Sequence, residues 1–256
     1  MQKLSLVNIA KFMKNSNRVR ILLKKVNNRF FDKNGDSKVY LKWMEENHID
    51  FKNYAKNLDL NLWNEAVKFS EDVEQDAKEK LSHLDFKLGG GGIYPLLYFL
   101  VRKLKPNNIV ETGVAAGFSS QAFLKALDKN GKGKLFSSDF PYFRIKDGEK
   151  FIGIVVDESL KENWTLYIDG DSVNIPKILK QVSTIDIFHY DSDKAYSSRD
   201  KIIRMVLPKM NKEGIMLVDD IHNNSQFMDY INSNKIESWR VFKFQGKYIG
   251  MIGDIS

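Results

Sequence analysis

Apolar residues recur in short runs over the last two thirds of the chain, separated by stretches with a helical period. The runs at 109–111, 134–139, 164–169, 185–191 and 214–220 read as strands. Helices are predicted at 118–127, 173–181, 196–210 and 225–234, with another from 93 to about 105, where Pro106 stops it. The chain closes with two further strands, 239–244 and 248–252, joined across Gln245-Gly246-Lys247 as a hairpin. Alternating strands and helices with short links predict a doubly wound, mostly parallel α/β sheet covered on both faces.

The first third reads differently. After a turn at 32–36 (DKNGD), 38–46 and 62–84 are predicted helices, the second rich in Glu and Lys with Asn61 as its N-cap. Between 19 and 30, Val19, Leu22, Leu23, Val26 and Phe30 share one helical face, while Arg18, Arg20, Lys24, Lys25 and Arg29 lie on the flanks and back. Such a helix either packs its apolar stripe on the domain and leaves its lysines in water, or lies on an anionic membrane surface or an acidic partner. The sharpest break in composition is 88–94 (LGGGGIY), a hinge or a glycine turn lying against a ligand. The expected organisation is therefore a basic helical extension, 1–87, and a core domain, 88–256.

Charge sharpens this division. The chain of 256 residues carries a formal net charge of +7, and its first thirty residues hold eight basic residues and no acid. In the remainder, thirty-two basic residues face thirty-three acidic ones. The core is thus not a basic nucleic-acid surface, and nucleic acid is not an expected partner. There is no cysteine, which excludes disulfides and thiolate metal sites. No apolar run reaches membrane-span length and the start lacks a secretory apolar stretch, so a cytoplasmic location is expected, peripheral to a membrane if the basic helix docks there.

Candidate chemistry centres on 108–127, NIVETGVAAGFSSQAFLKAL: a strand ending in Glu111, a turn bracketed by Gly113 and Gly117, then an amphipathic helix. The G-x-x-x-G spacing does not meet the dinucleotide pattern G-x-G-x-x-G. An acid followed by G-x-x-x-G-x-S resembles the first motif of the class I S-adenosylmethionine (SAM) methyltransferases, and the terminal hairpin extends that resemblance over about 88–255. The resemblance implies a Rossmann-like, seven-stranded sheet with SAM as cofactor. It places Glu111, Gly113, Gly117, Ser119 and Ser120 in the loop that holds the methionine part, Asp139 at the ribose, and Gly170, Asp171 and Ser172 at the adenine pocket, with Ser172 equally readable as an N-cap.

Each parallel strand ends in a carboxylate: Glu111, Asp139, Asp169 with Asp171, Asp191, and Asp219 with Asp220. Ligands of open α/β sheets sit outside those strand ends, and a negative rim suits the ammonium and sulfonium of SAM better than a phosphate. In the family's strand order the strands ending at Asp191 and Asp219 are neighbours, so Asp191, Asp219 and Asp220 converge. Three carboxylates without His or Cys at ligand spacing form a hard-oxygen site for Mg²⁺, Mn²⁺ or Ca²⁺. The segments DSDKAY and VDDIHNN resemble metal-dependent O-methyltransferases, the first the catechol and caffeoyl-CoA type, the second the sugar-hydroxyl type.

The implied reaction is methyl transfer to a hydroxyl of a small-molecule or saccharide acceptor, with Asp193 or Lys194 taking the proton. Aspartate is favoured as the base because a lysine must first lose its own proton. His189 is expected inside the core, His222 near the acceptor, and an oligomer is open. Two other readings stand beside this one: an RNA methyltransferase holding RNA with the basic N-terminus, and a non-catalytic SAM-fold module tethered to membrane or partner.

Overall fold

The computed structural model describes residues 16–142 and 145–255. An eight-stranded sheet runs through the molecule in the order β1-β7-β8-β6-β5-β2-β3-β4. Its strands are β1 (His48–Ile49), β2 (Asn108–Thr112), β3 (Lys134–Ser138), β4 (Trp164–Tyr167), β5 (Ile185–Tyr190), β6 (Met210–Val218), β7 (Trp239–Phe244) and β8 (Lys247–Ile252). β2 to β6 pair in parallel, and β8 enters antiparallel between β6 and β7. The hairpin turns on Gln245 and Gly246, both with positive φ (47° and 79°), the twist that a two-residue link between strands requires.

The sheet has one strand more than the seven expected. Asp50 caps the helix that follows β1, accepting the Asn53 N–H at 2.7 Å. That cap and the preceding helix end leave only His48 and Ile49 extended, which pair with Val241 and Phe242. A two-residue strand has too short a pattern to be read from sequence.

Successive strand residues point to opposite faces, so each strand feeds two cores. Ile109, Ile187, Leu217 and Phe242 pack with α3 (Phe51–Leu58), α4 (Leu60–Leu81), α5 (Tyr94–Leu104) and α6 (Phe118–Asn130). Val110, Phe188, Val218 and Val241 pack on the other side with α2 (Ser37–Asn47), α7 (Asp171–Leu179), α8 (Tyr196–Val206) and α9 (Gln226–Ser233). In α5 every residue from Tyr94 to Val101 is buried, which makes it the central helix of its layer.

Two boundaries differ for identifiable reasons. α4 begins at Leu60, because the Asp59 carboxylate rather than Asn61 caps it, accepting the Leu62 N–H at 3.0 Å. α8 ends at Val206 instead of 210; Pro208 has no N–H to continue the ladder, and Leu207–Lys209 tightens into a 3-10 turn.

The first described helix, α1 (Ser16–Phe31), lies across the carboxyl ends of the strands, but not on its apolar stripe. Arg18 pairs with Glu149 at 2.6 Å, the Ile21 side chain approaches Gly170, Lys25 stands 5.1 Å above the Phe140 ring, and Asn28 donates to Ser198 Oγ at 2.9 Å. Leu23, Val26 and Phe30 remain exposed at 66%, 58% and 73%. The rim beneath offers carboxylates and hydroxyls, so the polar face of the helix is the one that fits it. Residues 1–15, with Lys3, Lys11 and Lys14 of the basic segment, lie outside the described residues. Among the described residues no helix is long and apolar enough to cross a membrane.

Candidate active site

β2 delivers the chain to Gly113, whose φ is +83°. A Cβ there would lie 2.1 Å from the backbone oxygen of Asp191, so glycine is required by the neighbouring loop as much as by any ligand. Glu111, two residues earlier, is completely buried. Its Oε1 accepts the Ser119 hydroxyl at 2.5 Å, and its Oε2 accepts Ser120 at 2.6 Å and Ser137 at 2.8 Å. Glu111, Ser119 and Ser120 therefore tie the strand to the first turn of α6 beneath the loop, and Gly117 forms the N-cap of that helix. Gly113 is the member of this group that lines the open cleft.

The cleft continues over the ends of β3 and β4, lined by Asp139, Phe140, Gly170, Asp171, Ser172 and Asp191. The Asp139 carboxylate accepts the N–H groups of Val114 at 3.1 Å, Ala115 at 2.8 Å and Phe140 at 2.6 Å. Burial nevertheless raises its pKa to about 6, against the opposing pull of those N–H groups. Asp171 is likewise pushed up by burial, with the Ser138 hydroxyl (2.6 Å) and Ser192 hydroxyl stabilising its charge. Ser172 is not the N-cap: Gly170 holds that position, and Ser172 sits in the first turn of α7 facing the cleft. Asp169 leaves the expected rim, since it pairs with Arg18 at 3.6 Å and Lys177 at 3.4 Å.

Asn174 has no motif to announce it, yet it fastens this end of the site. Its amide lies within hydrogen-bond reach of Ser138 Oγ (3.0 Å) and the backbone oxygens of Asp139 (3.2 Å) and Tyr167 (3.0 Å), and its Oδ1 accepts the Asp169 N–H at 3.2 Å.

On the other side of Gly113, the pairing of Tyr190 with Val218 brings the ends of β5 and β6 level. Asp191, Asp219 and Asp220 each offer an oxygen within 4.8 Å of the others, the one such acidic trio among the described residues. Asp219 and Asp220 are 1% and 2% exposed, and Asp219 Oδ2 is buried with no hydrogen-bond partner. The 88–94 loop lies against this trio: a Cβ on Gly92 would stand 2.3 Å from Asp219 Oδ2. Burial and the charges of Asp219 and Asp220 raise the Asp191 pKa well above the carboxylate range, and burial raises Asp219. Burial acts the same way on Asp220, but contact with Lys194 and the charge of Lys247 bring it below its ordinary value.

Basic side chains surround the trio. Lys194 Nζ touches Asp220 Oδ2, Lys247 Nζ lies 3.5 Å from Oδ1, and His222 Nε2 is 3.9 Å from Oδ1. Beneath, the fully buried Arg199 donates to the backbone oxygens of Asp219 and Asp220 at 3.0 and 3.3 Å. A buried arginine in a helix otherwise patterned for the core gave no signal in the sequence. Asp193 lines the cleft; its Oδ1 accepts the Ala195 N–H at 3.1 Å and so caps the entry to α8. His189 is wholly buried against Phe123, as expected.

Residues 110–221 match the model of a family described as a methyltransferase domain. Over that segment the chain is similar to a methyltransferase domain. Solved structures of the same fold include an O-methyltransferase from Bacillus cereus in complex with SAH (14% identity, 79% of this chain and 96% of that one, TM-score 0.51). A methyltransferase from Geobacter sulfurreducens covers 72% of this chain and 88% of its own at 16% identity, with a TM-score of 0.51. The O-methyltransferase TomG from Streptomyces achromogenes, involved in tomaymycin synthesis and solved in complex with SAM, covers 71% and 88% at 13% identity, with a TM-score of 0.50. At these identities the likeness is one of fold. No curated protein matches the sequence. The chain places its glycine turn, its strand-end acids and its carboxylate trio along one edge of the sheet, with α1 above them.

Proposed function

We propose that this protein is a methyltransferase that transfers a methyl group from SAM to a hydroxyl of a small-molecule or saccharide acceptor, assisted by a divalent cation. The observation that carries the reading is the convergence of Asp191, Asp219 and Asp220 beside a cleft whose other end presents Asp139 and Asp171.

SAM would occupy the cleft. Asp139 is an acceptor suited to the ribose hydroxyls, and Phe140, Asp171 and Ser172 border the adenine end. Gly113 lets the ligand approach the backbone at the methionine end, where carboxylates complement an ammonium and a sulfonium. Glu111, Gly117, Ser119 and Ser120 act through the shape of the loop rather than by contact.

The trio fits a hard cation: three carboxylates, one with an unpartnered buried oxygen, and no sulfur or imidazole in the set. A bound Mg²⁺, Mn²⁺ or Ca²⁺ supplies Lewis acidity that lowers the pKa of a nearby hydroxyl. Asp193, on the cleft wall, is the group to which we assign that proton, through the oxygen not used in its cap. Lys194 is engaged with Asp220 and serves as a countercharge. Transfer forms one O–C bond and breaks one C–S bond, and the proton leaves on Asp193, so charge balances.

Labelled SAM incubated with phenolic and sugar-diol acceptors, with Mg²⁺ and with EDTA, tests the reading. Label in a hydroxyl ether that EDTA suppresses supports it. Transfer to RNA alone, or SAM binding without transfer to any hydroxyl acceptor, would overturn it.

A further inference from the structure

The outward face of α1 is unpaired in a way its inward face is not. Val19, Leu23, Val26 and Phe30 recur at spacings of four, three and four, a continuous seam along the helix, and Leu23, Val26, Phe30 and Phe31 are 66%, 58%, 73% and 81% exposed. A seam of this kind normally meets an apolar partner. Charge selects which partner. The helix has no acid, nor does any residue from 1 to 30, whereas the same stretch holds eight basic residues. A second copy of α1 laid against the first would bring like charges together, and no residue of either helix would offset them.

We propose that α1 docks on an anionic lipid surface. Leu23, Val26 and Phe30 enter the boundary between headgroups and acyl chains, while the exposed Arg20 meets lipid phosphates and carboxylates. The inward face stays on the domain through the Arg18–Glu149 ion pair and the Asn28–Ser198 hydrogen bond. Since that face also roofs the cleft with Ile21, Lys24 and Lys25, docking holds the cofactor cleft just beneath the membrane surface.

The test is sedimentation of the full chain with vesicles of phosphatidylcholine alone and with a 30% phosphatidylserine admixture. Partition onto the anionic vesicles is expected to exceed that onto neutral ones by at least tenfold and to collapse in 0.5 M NaCl. The double variant Leu23→Asp/Phe30→Asp is expected to lose at least tenfold in partition while keeping its affinity for SAH, since neither side chain lines the cleft. Equal partition onto both vesicles, or none, overturns the proposal. So does a wild-type dimer that the double variant converts to monomer, which would assign the seam to a second copy. Binding to an acidic polypeptide without binding to anionic vesicles would assign it to a protein partner instead.

Discussion

Arg199 Nη2 donates to the backbone oxygen of Asp219 at 3.0 Å, with both residues almost wholly buried. The guanidinium also stands 5.7 Å from the Tyr190 ring centre, and two of its nitrogens, Nε and Nη1, have no hydrogen-bond partner. Burial lowers the arginine's pKa, and the electrostatic influence of Tyr190 and of the Asp220, Asp219 and Asp191 carboxylates opposes that. With Lys194 and Lys247, it is one of the cations that offset three carboxylates at the end of a parallel sheet.

Arg199→Met keeps the side-chain volume and removes the charge. Loss of one partner from a buried set of charges costs roughly 3 kcal/mol, so thermal unfolding at pH 7 should shift down by several degrees. The deficit should shrink at low pH, where the carboxylates are neutral. A melting temperature equal to wild type at pH 7 would deny Arg199 this role.

Asp139 gives the site a pH dependence. Its folded pKa, about 6, lies above the ordinary 3.8, so the folded state binds the proton more tightly than the unfolded chain does. Stability from this group is therefore present at low pH and lost as pH rises from about 4 to about 6, on the order of 3 kcal/mol in full. With Asp139 holding the ribose as proposed, binding would run the other way, because an ionised carboxylate is the better acceptor for the ribose hydroxyls. SAH affinity measured by calorimetry should rise from pH 5 to 7 and level off above. Asp139→Asn should bind SAH weakly at every pH and flatten both curves; an unchanged slope in that variant would place the titration elsewhere.

The fold was legible because the strand-forming runs alternate cleanly with helical ones, and the glycine turn at 113–117 fixes where the cleft opens. The trio was legible because Asp191, Asp219 and Asp220 each follow a strand, and the order of strands brings them together. The rest depends on contacts between distant residues. Nothing local marks Asn174 as the tie between β3, β4 and α7, or Arg199 as a buried cation. α1 shows the limit most clearly: its apolar periodicity predicts the helix, but not which face meets the domain. That choice depends on the polar rim supplied by Glu149, Asp169 and Ser198, more than a hundred residues away.

Lys194 and Lys247 both reach Asp220, so a divalent ion bound at the proposed site would compete with two tethered ammonium groups. Lys194→Met should therefore tighten Mn²⁺ binding by about tenfold, or ~1.4 kcal/mol, as read by calorimetry or by the signal of free Mn²⁺. Unchanged Mn²⁺ affinity would contradict that competition, and loss of turnover at saturating metal would make Lys194 rather than Asp193 the proton acceptor.

The central claim is that one edge of this sheet seats SAM and a divalent cation side by side. Crystals soaked with SAH and Mn²⁺, with data collected at the manganese edge, test it most directly. The expected result is SAH density running from Gly113 past Asp139 to Asp171, with a single anomalous peak among the oxygens of Asp191, Asp219 and Asp220. SAH bound with no anomalous peak there, Lys194 still seated on Asp220, would contradict the account, as would an anion in that place.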